Sequence, residues 1–108
     1  MTTTAILMTA RTSAAASRGF TLTQASAGQF ATIQVIGLAG TEKAYLQMEN
    51  FATGEYVNVK YNGSDVYCDV GNNYISVGDN LKYRINKDIS AGAVGVNVIS
   101  DKEIQTYN

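Results

Sequence analysis

The sequence predicts an all-β fold, a single antiparallel β-sandwich of about eight short strands with Greek-key or jelly-roll-like connections and an extended N-terminal arm. Three observations carry that expectation. Thr, Val and Ile together make 28 of the 108 residues (11, 9 and 8), whereas Leu occurs five times, a bias toward pleated sheet. Ten glycines and nine asparagines fall between apolar runs, where tight turns need positive φ. Apolar residues alternate with period two through most of the chain, and no stretch carries a 3.6-residue period.

Residues 1–18 are rich in Thr, Ala and Ser, with little side chain to bury, and are expected to be an arm. Ile6, Leu7 and Met8 are out of place in a mobile tail and make the arm a candidate for ordering on a partner. Its removal is then expected to leave the β-structure intact. Residues 19–100 form the predicted sandwich. Phe20 and Leu22 face one way and Thr21 and Thr23 the other, with a break at Ser26-Ala27-Gly28. Ala31, Ile33 and Val35 share a face in the run from Phe30 to Leu38, which a turn at Gly37 to Gly40 closes. Ala44, Leu46 and Met48 alternate with Tyr45, Gln47 and Glu49, ahead of a turn near Ala52-Thr53-Gly54.

Asn62-Gly63 suits both positive-φ positions of a type I′ turn and predicts a hairpin with Val57, Val59 and Tyr61 inside. Beyond it Val66, Cys68 and Val70 share one face, and Asp65, Tyr67 and Asp69 the other. Gly71-Asn72-Asn73 turns into a strand from Tyr74 to Val77, followed by a turn at Gly78-Asp79-Asn80. Leu81, Tyr83 and Ile85 then alternate with Lys82 and Arg84, with Lys87 near by. Val94, Val96 and Val98 mark the last predicted strand, and residues 101–108 read as a polar tail.

Composition removes whole classes of chemistry. There is no His, Trp or Pro and one cysteine, which excludes His-based triads, His-containing zinc sites and disulfide frameworks. A net charge of -1, from eight basic and nine acidic residues, gives no field to gather nucleic acid or anionic lipid. No run approaches the roughly 18 apolar residues of a membrane span. The first ten residues lack the basic region and the apolar length of an export signal, so the chain is expected to be unprocessed and made in the cytoplasm.

No candidate for chemistry survives comparison with an ordinary structural role. Cys68 lies mid-strand two residues from Val66 and Val70, as a small buried hydrophobe does. Asp65 and Asp69 are about 13 Å apart along a strand, too far to share a proton or a metal. Asp79 with Asn72 or Asn73 offers oxygen ligands for calcium, but turn chemistry explains the same residues. The expectation is a protein without enzymatic activity, cofactor or metal. Binding is left to the apolar arm, to Arg11 and Arg18, the only charges before Glu42, and to Tyr45, Tyr67 and Tyr74 as outward-facing rings.

The succession Tyr56-Val57-Asn58-Val59, Asn62-Gly63, Asn73-Tyr74-Ile75-Ser76-Val77, Leu81-Lys82-Tyr83-Arg84-Ile85 and Gly92-Ala93-Val94-Gly95-Val96-Asn97-Val98 resembles small virion proteins of tailed bacteriophages. The resemblance covers roughly residues 19–100. It implies a head decoration, or cement, protein that binds the major capsid protein on the outside of an icosahedral shell, as a homo-oligomer with a trimer favoured. The implied location is the capsid surface of the virion, and no nucleic acid or membrane is involved. Ile6, Leu7, Met8, Arg11, Arg18, Tyr45, Tyr67 and Tyr74 are the candidate partner-binding residues. The alternatives are a carbohydrate- or cell-surface-binding module that uses the three tyrosines, and a phage tail, head-fibre or connector component.

Overall fold

Alternating side chains divide the apolar residues between two antiparallel sheets that face each other. The computed structural model describes residues 3–22, 30–78 and 81–107, so the expected break at 26–28 and most of the turn at 78–80, Asp79 included, lie outside the described residues. In chain order the strands are β1 (Thr3–Arg11), β2 (Ala15–Ala16), β3 (Gly19–Leu22), β4 (Ala31–Ile36), β5 (Ala44–Glu49), β6 (Tyr56–Asn58), β7 (Lys60–Tyr61), β8 (Ser64–Asp65), β9 (Tyr67–Cys68), β10 (Tyr74–Val77), β11 (Tyr83–Lys87), β12 (Val94–Ser100) and β13 (Ile104–Tyr107). The first sheet has the order β1-β12-β4-β10. The second runs β13-β3-β11-β5-β6, with β2 also on β11 and β9 also on β5, and β7-β8 is a separate ribbon. This is the all-β sandwich that the alternation predicts, with more and shorter strands.

β12 shows why the period works. Val94, Val96, Val98 and Ser100 are buried, while Gly95, Asn97 and Ile99 alternate with them on the outer side. Its two edges pair with β1 and β4, so each inward valine meets neighbours on both sides. Ala31, Ile33 and Val35 face it from β4, and Phe20, Leu22, Leu46, Tyr83 and Ile85 close the core from the second sheet. Phe20 and Tyr83 meet with ring centroids 6.3 Å apart. Gly37 ends β4 at φ 106°, where a Cβ would collide with the Ala93 carbonyl oxygen.

The N-terminal arm requires correction. Thr3–Arg11 is an edge strand of the first sheet, in register with β12 from Thr3 opposite Ser100 to Arg11 opposite Val94. A shift of register between Ile6 and Met8 lets the consecutive residues Leu7 and Met8 both turn inward, 1% and 5% exposed. The run Ala5-Ile6-Leu7-Met8 therefore shows no alternation, and its strand was illegible as one. The Leu7 carbonyl accepts the Arg18 N–H at 2.9 Å, which ties β1 to the start of β3 in the opposite sheet. Between them the small residues 12–16 cross from sheet to sheet, with the Ser90 N–H donating to the Thr12 carbonyl (2.9 Å). Ser17 is buried and mends the gap between β2 and β3: its N–H donates to the Ile85 carbonyl (2.7 Å), and its Oγ accepts the Ile85 N–H (2.9 Å).

Three further expectations are revised. Val57 and Tyr61 are exposed, and of the three hairpin residues only Val59 packs against the core. β6 and β9 lie along one edge of β5, and the chain between them leaves the sheet. At that point the Val59 N–H donates to the Leu46 carbonyl and the Leu46 N–H to the Val66 carbonyl. Asn62 and Gly63 do have the positive φ of the expected turn (51° and 80°). Lys87, named above beside the alternating Lys82 and Arg84, falls in phase with Tyr83 and Ile85 and is buried. The polar tail contributes β13, because β3 presents an open edge that Ile104–Tyr107 fills, with Thr21 Oγ1 and Tyr107 Oη 3.0 Å apart.

If β1 belongs to the core, Leu7→Ala lowers the unfolding free energy by about 2–5 kcal/mol in urea titrations, and a loss below about 0.5 kcal/mol, as at a surface site, would contradict the packing.

Candidate interaction surfaces

The two outer faces of the sandwich differ in kind. On the first sheet, cross-strand pairing sets Ile6, Asn97, Gln34 and Tyr74 in one row, and Thr4, Ile99, Thr32 and Ser76 in the next. Arg11, at the end of β1, is the only charged residue in its four strands. Ile6, Ile36 and Tyr74 are 62%, 54% and 56% exposed, and Phe30 at the mouth of β4 is 59% exposed. Gly95 stands opposite Ile36 and carries no side chain, leaving a hollow of about 230 Å³ lined by Ile6, Met8, Ala10, Ile36 and Ala93.

The outer face of the second sheet is charged and satisfied by its own groups. Arg84 Nε donates to Gln47 Oε1 (2.8 Å), Gln47 Nε2 to Asn58 Oδ1 (3.0 Å) and Asn58 Nδ2 to Asp65 Oδ2 (3.3 Å). Lys60 ends the chain with a 2.7 Å ion pair to Asp65, and its hydrogen bond holds that carboxyl below its ordinary range. Three cations lie over tyrosine rings: Arg84 on Tyr56 (3.9 Å), Lys82 on Tyr107 (4.0 Å) and Lys43 on Tyr67 (4.5 Å). Lys82 also pairs with Glu49 at 3.4 Å.

The predicted binding residues are thereby dispersed. Tyr45 and Tyr67 meet edge to face on the second sheet, centroids 5.8 Å apart, and both are half-buried. Tyr74 stands on the first sheet, so the three rings do not converge. Leu7 and Met8 pack inside this chain's own sandwich, and only Ile6 of that run is exposed. Arg11 and Arg18 are exposed and line one groove of about 360 Å³ between β1 and the β2–β3 segment. Ile36, Phe30 and Gly95 were not singled out from sequence. Their signal is the absence of charge on the outward positions of β4, β10 and β12, which alternation alone does not rank.

The groups with nucleophilic potential are held in structural contacts. Lys87 Nζ donates to Ser90 Oγ (3.0 Å) and to the Asp88 carbonyl (3.1 Å), while Ser90 Oγ donates its proton to the Gly92 carbonyl (2.7 Å). With Nζ as the donor, the pair clamps the loop that follows β11. Burial pushes the Lys87 ammonium down, and nearby Glu42 opposes that shift. Glu42 bridges two loops, accepting the Ala39 and Ala91 N–H groups at 2.9 and 2.7 Å; these bonds, Ala91's first, hold its carboxyl below the ordinary value. Asp69 Oδ1 accepts the Gly71 and Asn72 N–H groups and so closes the turn after β9.

No protein-family model matches the chain, and no curated protein matches it. Among solved structures it is similar to the SPBc2 prophage-derived protein YomS, with a TM-score of 0.63 and 13% identity, over 97% of this chain and 94% of that one. The two proteins share a fold. The likeness spans nearly the whole chain, so β1 and β13 fall within the shared architecture.

Burial, with a smaller contribution from Asp69, pushes the Cys68 thiol up to about 11. The native protein is therefore expected to resist 5,5′-dithiobis(2-nitrobenzoate) at pH 8 and to react fully in denaturant, whereas stoichiometric labelling of the native state within minutes would contradict the burial.

Proposed function

We propose that this chain is a non-enzymatic structural component of a phage particle, a decoration protein seated on the outside of a capsid shell through the outer face of its first sheet. The observation that carries the reading is the uncharged outer face around Ile6, Ile36 and Tyr74, set against a second face whose charges are already paired. Interface centres are depleted of charge and rich in aromatic and apolar groups. A fold shared with a prophage-derived protein supports the same reading.

Size decides how such binding works. Four strands about 4.8 Å apart and about 20 Å long present on the order of 400 Å², half of the roughly 800 Å² per partner in a stable complex. One such contact is weak. Occupancy then depends on repetition over a lattice, or on a homo-oligomer, for which a trimer is the proposed state, engaging several sites at once.

Ile36→Lys places an unpaired charge on that face, beside the hollow at Gly95, without touching the core. It is expected to weaken co-sedimentation with heads of the phage that carries the gene at least tenfold, about 1.4 kcal/mol or more per site, with unchanged circular dichroism. Gln105→Lys, on the outer side of the second sheet, is expected to bind normally. Equal binding by wild type and Ile36→Lys would contradict the proposal.

A further inference from the structure

We propose that the groove between β1 and the β2–β3 segment binds an extended acidic peptide segment of a partner protein. The site adjoins the outer face of the first sheet and shares Ile6, Met8 and Thr9 with the hollow there, while Arg11, Ala16 and Arg18 line the groove alone. β1 is an edge strand: β12 takes one row of its backbone groups, and the other row faces the groove. The Leu7 carbonyl on that row is taken by the Arg18 N–H, at the floor where the two sheets are tied.

Charge selects the occupant. Arg11 and Arg18 line the groove together, and no carboxylate is among its lining residues. Both ion pairs among the described residues lie elsewhere, at Lys60–Asp65 and Lys82–Glu49. Arg11 has one weak contact, from Nε to the Thr9 carbonyl at 3.5 Å, and Arg18 Nη2 donates to Thr106 Oγ1 at 2.8 Å. That bond holds the Arg18 side chain while leaving its other guanidinium donors for a ligand. Two guanidinium groups without carboxylate partners, beside a strand edge, match an extended chain whose alternate side chains are acidic. Ile6 and Ala16 give such a chain apolar contact at the same groove. From Ile6 to Arg11 the edge runs beside Asn97 to Val94, three residue steps, so it spans about 10 Å at about 3.4 Å per residue and takes the central residues of a five-residue chain.

The test is fluorescence anisotropy of the full chain with a labelled, capped Glu-Val-Glu-Val-Glu peptide at 50 mM salt. The acidic peptide is expected to bind with a submillimolar Kd, and a Gln-Val-Gln-Val-Gln control at least tenfold more weakly. Binding of the acidic peptide should fall severalfold at 0.5 M salt. Arg11→Gln and Arg11→Gln/Arg18→Gln are expected to reduce it progressively, the double variant by at least tenfold. Since Arg18 also contacts β13, the single variant reads the site without that anchor, and thermal midpoints check folding. Amide shifts in wild type should map to Ile6–Arg11 and Arg18. Equal binding of the two peptides, full binding by the folded double variant, or no binding of the acidic peptide at 5 mM would each overturn the proposal.

Discussion

The constraint on which the molecule turns is the seating of Leu7 and Met8. Two consecutive residues of an edge strand both point into the core, which a regular strand cannot do, and the register shift beside them is the solution. The same irregularity presents the Leu7 carbonyl to the Arg18 N–H across the sandwich. Residues 3–22 consequently belong to both sheets, as β1 in the first and as β2 and β3 in the second. In this fold the segment packs within its own chain. Binding is left to what the folded sandwich shows outside, its faces and the groove beside β1.

Much of the architecture was legible wherever period two was unbroken. β4, β5 and β12 expose and bury the residues that their alternation foretold, and Asn62-Gly63 has its expected conformation. The failures arise where the chain breaks its parity or leaves the sheet, and where a side chain's charge outweighs its phase. The bulge at Leu7 hid β1, the departure of the chain at Val59 carried Tyr61 into the exposed β7–β8 ribbon, Val57 stands opposite Met48 but on an open sheet edge, and Lys87 was read by its charge although its position is in phase with Ile85. β13 is polar and weakly patterned, and it forms because β3 has an edge to pair.

The candidate site was less legible than the fold. Tyrosines stand out in a sequence, but Tyr45 and Tyr67 spend their surface on each other and on Lys43. Which strands become neighbours decided the matter: the first sheet is assembled from four distant parts of the chain, each poor in charge, and the blank surface appears only once they are side by side. Arg11 and Arg18 were noticed as isolated charges. The crossing from β1 to β3 is what makes them the two cations of one groove.

The central claim, that the N-terminal segment is an integral part of the sandwich, is tested most directly by native-state hydrogen exchange. The Arg18 amide, whose acceptor is the Leu7 carbonyl, is predicted to exchange as slowly as the amides of β12 and only through opening of the whole domain. Exchange of that amide at the rate of an unstructured chain, while β12 stays protected, would show that β1 detaches by itself and would contradict the account.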